Sequence, residues 1–438
     1  MAAGTTDTLT SEAPLVELAD ALRSGRQPLE EYMGETCTRI EQLEPRIRAL
    51  LPESGRRERL LAEAKALRER FPEPDRRPPL FGILVGVKDI INADGFPTRA
   101  GSTLSPEVFA GPEATCVRRL RAAGALVLGK TVTAEFAYLD PGPTANPNDP
   151  ARTPGGSSSG SAAAVAAGYA PLALGSQTVG SVIRPAAFCG VVGFKPSYER
   201  IPTDGVLHFS RSVDCVGLFA QTVAGTARAA AALCEGWRPE AAEPDLPSLG
   251  VPVGPYLEQA EPEARRAFET WLDRLAEAGC RICYVPALRD IAEVAARHLR
   301  LITKEFEQVH AGWFREYAGL YGPHSAMAME RAHGIEQRAI ETGRTSSLRL
   351  RAELEALMDD HELDAWASPA APGPAPTGLQ STGNAAMNLP WTHARLPTLT
   401  LPAGRSREGL PLGLQLTARL EADERLLGWA QRLEPLLS

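Results

Sequence analysis

One stretch limits what this chain can fold into: residues 153–196, TPGGSSSGSAAAVAAGYAPLALGSQTVGSVIRPAAFCGVVGFKP. It opens on Gly155-Gly156 and three serines, runs into an alanine-rich segment, and closes on a second Gly-Ser site, Gly180-Ser181, with Arg184 three residues on. A ligand can approach a backbone closely only where side chains are absent, and glycine alone reaches positive φ cheaply. Two such sites so near each other read as two walls of one pocket. A flexible linker would account for the glycine and serine. It would not account for the alanine and valine of 161–168, nor for the apolar flanks Leu172 to Leu174 and Val191 to Phe194. The stretch belongs inside a folded body.

Around it, strands and helices alternate. In FGILVGVKDI (81–90) an unbroken apolar and glycine run, Phe81 to Val87, predicts a buried strand that delivers Lys88-Asp89 at or near its end. A helix over about 113–123 leads to a second strand, ALVLGK (125–130), which also ends in lysine. Upstream, apolar residues at three- and four-residue steps from Pro14 to Leu51 predict two helices broken near Gly25 to Pro28, and a third covers 57–70. Downstream, SVDCVGLFAQTV (212–223) and a helix over 224–235 continue the rhythm. There follow a helix (260–279), a strand (281–285), a helical zone (291–361), a strand within 364–376, a strand pair (396–404 and 411–420) and a last helix (423–436). This pattern predicts an α/β fold, an α/β/α sandwich with a large mixed central sheet covered by helices on both faces. Residues 13–438 read as one domain behind a disordered N-terminus (1–12), and the Pro/Gly-rich loop 236–255 is the best place for an internal boundary.

Charge and cysteine usage exclude several functions. The net charge is −8 and the basic residues are scattered, so no nucleic-acid surface is expected. Seven cysteines, an odd number without repeated spacing, do not make a disulfide framework and indicate a reducing, cytoplasmic compartment. Cys280 and Cys283 form a CxxC with no second half, so they read as thiols on a turn and strand, and no metal or organic cofactor is implied. Neither a basic-then-apolar leader nor an apolar run of ~18 residues is present, so no membrane partner is expected.

The chemistry must therefore come from side chains. GSSSG at 156–160 meets G-x-S-x-G superficially but has no evident histidine partner, and the glycine-rich segment lacks the Lys-Ser/Thr of a phosphate loop. What remains is a serine activated by a lysine. A lysine acts as a base only when neutral, which requires burial or a neighbouring cation. Lys88 and Lys130, each at the end of an apolar strand, both meet that condition.

GGSSSGSAAAVAAG, then TVGSVIRPAAFCGVVGFKP, with VGVKDI upstream and PLGLQL downstream, resembles the amidase signature family of serine hydrolases over nearly the whole chain. The resemblance implies a Ser-cisSer-Lys triad of Ser181, Ser157 and Lys88, with a cis peptide before Ser157. It leaves Ser158 and Ser159 as loop hydrogen-bonders and Lys130 as structural. It further implies that Ser181 attacks an amide carbonyl while Ser157 relays its proton to neutral Lys88, and that Lys88 protonates the leaving ammonia. Main-chain N–H groups of Thr178, Val179, Gly180 and Ser181 would hold the oxyanion.

Two departures from the common family pattern matter. Val179 stands where the family usually has the first of two glycines, so negative φ is expected there with the oxyanion turn retained. Arg184 lies three residues after the nucleophile rather than two, which resembles a malonamidase-like subgroup in which this arginine binds a substrate carboxylate. The expected activity is hydrolysis of a small carboxylate-bearing amide, a dicarboxylic acid monoamide or an N-carboxylated urea derivative. The alternatives are the glutaminase subunit of a tRNA-dependent amidotransferase and a catalytically silent amidase-like binding protein. The resemblance leaves room for a homodimer or a small accessory subunit.

Overall fold

The structure, a computed structural model, describes residues 9–239 and 245–437. Of the N-terminal segment expected to be disordered, residues 1–8 lie outside the described residues; Leu9 is buried, and its N–H donates to the Pro147 carbonyl. Three helices, α1 (Leu15–Ser24), α2 (Leu29–Ile47) and α3 (Arg56–Arg70), precede β1 (Leu84–Lys88). Next come α4 (Thr115–Ala122), β2 (Leu126–Thr131), α5 (Ser159–Ala166), β3 (Leu172–Gln177), α6 (Ile183–Cys189), β4 (Val192–Lys195), β5 (Cys215–Ala220) and α7 (Val223–Leu233). The second half contains β6 (Ser248–Val253), α8 (Pro262–Glu277), β7 (Arg281–Pro286), α9 (Ile291–Tyr317), α10 (Pro323–His333) and α11 (Arg338–Asp360). It ends with β8 (Ala365–Pro369), α12 (Leu389–His393), β9 (Thr398–Arg405), β10 (Pro411–Ala418) and α13 (Asp423–Leu437). Among the described residues, no helix is long and apolar enough to cross a membrane.

The ten strands of the described residues join one mixed sheet in the order β2-β1-β3-β5-β4-β9-β10-β8-β6-β7. The segment 236–255, expected as a loop, itself carries β6, and strands from both sides of it take part, because β9 returns to pair with β4 near the middle. Alternation along β3 shows how both faces are covered. Ala173 and its partner Phe219 on β5 pack with Ala162 and Val165 of α5, with Ala186 of α6 and with Val182 just before it. Leu172 and Leu174 point the other way, into the cluster that holds Val223, Ala230 and Leu233 of α7. The strand expected to begin at Phe81 starts at Leu84, because Gly82 takes φ +75° and the chain turns there, with Ile83 N–H on Leu80 O.

The alanine-rich segment is now explained. Every residue of α5 is buried, so this helix has no solvent face on which polar side chains could sit. Its first turn lies against the residue that follows β2 and the segment that follows α2: Gly160 N–H donates to Val132 O at 2.9 Å. A Cβ on Gly160 would meet Ala49 O at 2.2 Å and Val132 N at 2.4 Å, both backbone. Gly160→Ala is therefore expected to cost about 3 kcal/mol or more, since neither neighbour can move aside. Thermal unfolding of the purified variant measures this, and an unchanged melting temperature would refute the close packing.

The strand order also brings the two glycine-serine sites to a lysine. β1 and β3 are parallel neighbours, with Val87 opposite Leu174, so both end at the same edge of the sheet. Loops beyond such strand ends form the crevices in which α/β proteins bind ligands.

Candidate active site

Lys88 closes β1, is wholly buried, and places Nζ 2.8 Å from Ser157 Oγ and 2.9 Å from Ser176 Oγ. The Gly156–Ser157 peptide is cis. Burial pushes the Lys88 amine down to about 7, and Asp214 offsets this in part, so a large fraction is neutral near physiological pH. Lys130 differs: its Nζ lies 3.0 Å from Asp89 Oδ1 and donates to Thr98 Oγ1 at 2.9 Å. Its charge is compensated by an acid, whereas Lys88 faces hydroxyls. A neutral amine against a serine hydroxyl can exchange a proton with it.

Ser181 sits elsewhere in the same assembly. It lines a cavity of about 580 Å³ together with Thr178, Val179, Gly180 and Arg184. Among the described residues, its hydroxyl makes no hydrogen bond, and none joins it to Ser157 in this conformation. Nor do the main-chain N–H groups of Val179, Gly180 and Ser181 find an acceptor among the described residues, so three donors are unpaired beside the serine. Such a cluster can stabilise an oxyanion. Val179 is not among the residues with positive φ, and neither is Gly180. The glycine at 180 is required by space instead, since a Cβ there would meet Asn388 Oδ1 at 2.3 Å.

Side chains anchor both ends of this turn. Gln177 Oε1 accepts from the N–H groups of Val182 and Ile183, tying the end of β3 to the start of α6. Thr178 Oγ1 donates to Asp214 Oδ1 at 2.6 Å. Ser159 Oγ donates to Gly155 O at 2.8 Å, and Ser158 Oγ lies 3.3 Å from the backbone of Ser176.

Arg184 is 4% exposed and, among the described residues, has no carboxylate partner. Its Nη1 donates to Gly383 O at 2.9 Å, and Nη2 donates to Gly156 O at 2.5 Å and to Thr382 Oγ1 at 3.2 Å. Among the described residues its Nε has no hydrogen-bond partner. Desolvation lowers the guanidinium to about 10, still charged at neutral pH.

The model of the Amidase family matches residues 31–427. This chain belongs to the amidase family. The amidase is 32% identical over 477 residues to a glutamyl-tRNA(Gln) amidotransferase subunit of Synechococcus sp. (strain RCC307), covering 96% of each chain. It superposes on a solved amidase with TM-score 0.87 and 31% identity, covering 97% of this chain and 100% of that one. A second solved structure is of a vestigial protein complex that reveals the evolutionary origins of an s-triazine catabolic enzyme. It aligns with TM-score 0.86 and 29% identity over 97% of this amidase and 98% of that chain. The amidase is thus a hydrolase of amide C–N bonds on an α/β fold.

The reading of the sequence passed over four residues that the structure brings to the site: Ser176, Asp214, His298 and Thr392. Ser176 carried a usable signal, a Gly-Ser step inside the same stretch. The others lie 33 or more residues beyond Ser181 and carry no local mark.

Proposed function

We propose that this amidase releases ammonia from a small carboxylate-bearing amide through an acyl-enzyme on Ser181. Ser157 shuttles the proton, neutral Lys88 takes it and returns it to the leaving amine, and the N–H groups of Val179, Gly180 and Ser181 hold the oxyanion. Thr178 supports that turn through its side chain. One observation carries the assignment of nucleophile: Ser181 borders the cavity beside three unpaired donors, while Ser157 and Lys88 are wholly buried and border none of it. Water then hydrolyses the ester.

Similarity to the amidotransferase protein supports glutamine as the substrate and a second subunit for a partner. Glutamine also carries a carboxylate for the Arg184 fork. The cavity wall supports a second reading, a dicarboxylic acid monoamide or N-carboxylated urea derivative as in the malonamidase-like subgroup. Among the described residues lining the cavity, Arg184 alone is charged, so an α-ammonium group would meet no carboxylate there.

Ammonia release from glutamine, dicarboxylic monoamides and matched neutral amides decides between these substrates, and co-purification with a second subunit bears on the partner. Arg184→Ala is expected to raise KM for carboxylated amides about 10- to 100-fold, the worth of charge-assisted hydrogen bonds, and to leave KM for neutral amides nearly unchanged. Equal losses on both classes would mean that Arg184 only secures the Gly156 and Gly383 loops.

A further inference from the structure

The two peptide units leading to Gly180 are each tied back by a side chain that the chemistry above does not use. Thr178 O accepts from His298 Nε2 at 3.1 Å, and Val179 O accepts from Thr392 Oγ1 at 2.7 Å. In a planar trans peptide the C=O and the following N–H point in opposite directions. Holding Thr178 O therefore turns Val179 N–H the other way, and holding Val179 O does the same for Gly180 N–H. Both residues border the cavity.

The holding groups are themselves ordered. His298, on α9, and His393, at the end of α12, are both wholly buried, and their Nδ1 atoms lie 3.1 Å apart. Because Thr178 O only accepts, His298 Nε2 carries a proton. Burial pushes His298 down to about 4 and His393 to about 3, so both rings are neutral at physiological pH. His298 Nδ1 must then accept from His393 Nδ1–H, which leaves His393 Nε2 to accept from Ser346 Oγ at 3.0 Å. One proton arrangement satisfies all four groups. Thr392 is fixed likewise, since Gln177 Nε2 donates to its Oγ1 at 2.9 Å while its hydroxyl donates to Val179 O.

We propose that His298 and Thr392 are positioning residues that aim the Val179 and Gly180 N–H groups at the oxyanion, with His393 and Ser346 fixing the His298 tautomer. This rests on the reading of Ser181 as the nucleophile. It also explains how a turn with valine at 179 stays aimed: each of its two carbonyls is clamped from outside.

Phosphonylation of Ser181 by a fluorophosphonate tests the proposal without knowledge of the natural substrate. His298→Leu and Thr392→Val are each expected to lower the maximal labelling rate about 10- to 100-fold, at or below the ~10²–10³ lost when an oxyanion donor is removed outright. The half-saturating probe concentration should stay within about twofold, since ground-state binding is untouched. His298→Gln, which keeps an N–H near the Nε2 position, and Thr392→Ser should recover most of the rate. Folded variants that label at the wild-type maximal rate would overturn the proposal, as would failure of both conservative replacements to rescue. Should His298→Leu not fold, the Thr392 pair decides alone. Wild-type protein that takes no label would instead overturn the nucleophile reading on which the proposal rests.

Discussion

Lys88→Met is expected to abolish amide hydrolysis and to raise the melting temperature in the same step. The activity loss, about 10⁴-fold or more, follows from removal of the only base in contact with Ser157 among the described residues. The gain in stability follows from linkage. An unfolded lysine titrates near 10.4, whereas burial lowers Lys88 to about 7 in the folded chain. Between those values the unfolded state holds the extra proton, so folding strips it off, and stability rises with pH through that window. Below about 7 both states are protonated and the full cost persists, on the order of 4 kcal/mol. Methionine fills similar volume without that cost, and the freed Ser157 and Ser176 hydroxyls return only part of it. Calorimetry at pH 7 should show a rise of a few degrees, shrinking as the pH approaches 10. A fall in melting temperature would mean that Lys88 is a structural cation.

The same proton sets the pH profile of the wild-type enzyme. Since the neutral amine is the base, kcat/KM should rise about tenfold per unit up to about pH 7 and then level. Lys88→Arg, always charged, should be inactive at every pH.

How much of this could be read from the sequence is clearest at the two lysines. Both stand at or near the end of an apolar strand, and the Lys88-Asp89 step invites a local ion pair. It does not form, because Lys88 Nζ sits against the Ser157 and Ser176 hydroxyls and Asp89 lies in the turn that follows β1. Asp89 is met instead by Lys130 from the parallel neighbour, where Val87 stands opposite Lys130. That pairing depends on register between strands more than forty residues apart, which no local pattern reports. Element positions were legible because apolar periodicity and glycine breaks are local. The helical zone 291–361 proved to be three helices, the first two divided by a segment containing Gly319 and Gly322. The small-residue stretch also announced itself, because only close backbone approach needs such composition. By contrast, His298 and His393 carry no local mark, since 95 positions separate them in the chain and the fold alone brings their rings together.

Ser181→Ala and Ser157→Ala should separate the two serines, whose roles the distances alone could exchange. Ser157 is the one in contact with Lys88, so a simple lysine-serine dyad would make it the nucleophile. Access argues otherwise. A nucleophile must reach the carbonyl carbon while the carbonyl oxygen meets its donors. Ser157 is 0% exposed and borders no part of the cavity, whereas Ser181 borders it beside the unpaired N–H groups. Ser181→Ala should therefore lose about 10⁵- to 10⁶-fold in kcat and take no fluorophosphonate label. Ser157→Ala removes the shuttle but leaves nucleophile and oxyanion donors in place, so it should lose about 10²- to 10⁴-fold and still label slowly. Groups that act as one unit do not add, so the double variant should be no worse than Ser181→Ala. Mass spectrometry of the labelled peptide gives the decisive reading. A phosphonate on Ser157, retained in Ser181→Ala, would exchange the roles and require the buried cis-peptide loop to open during turnover.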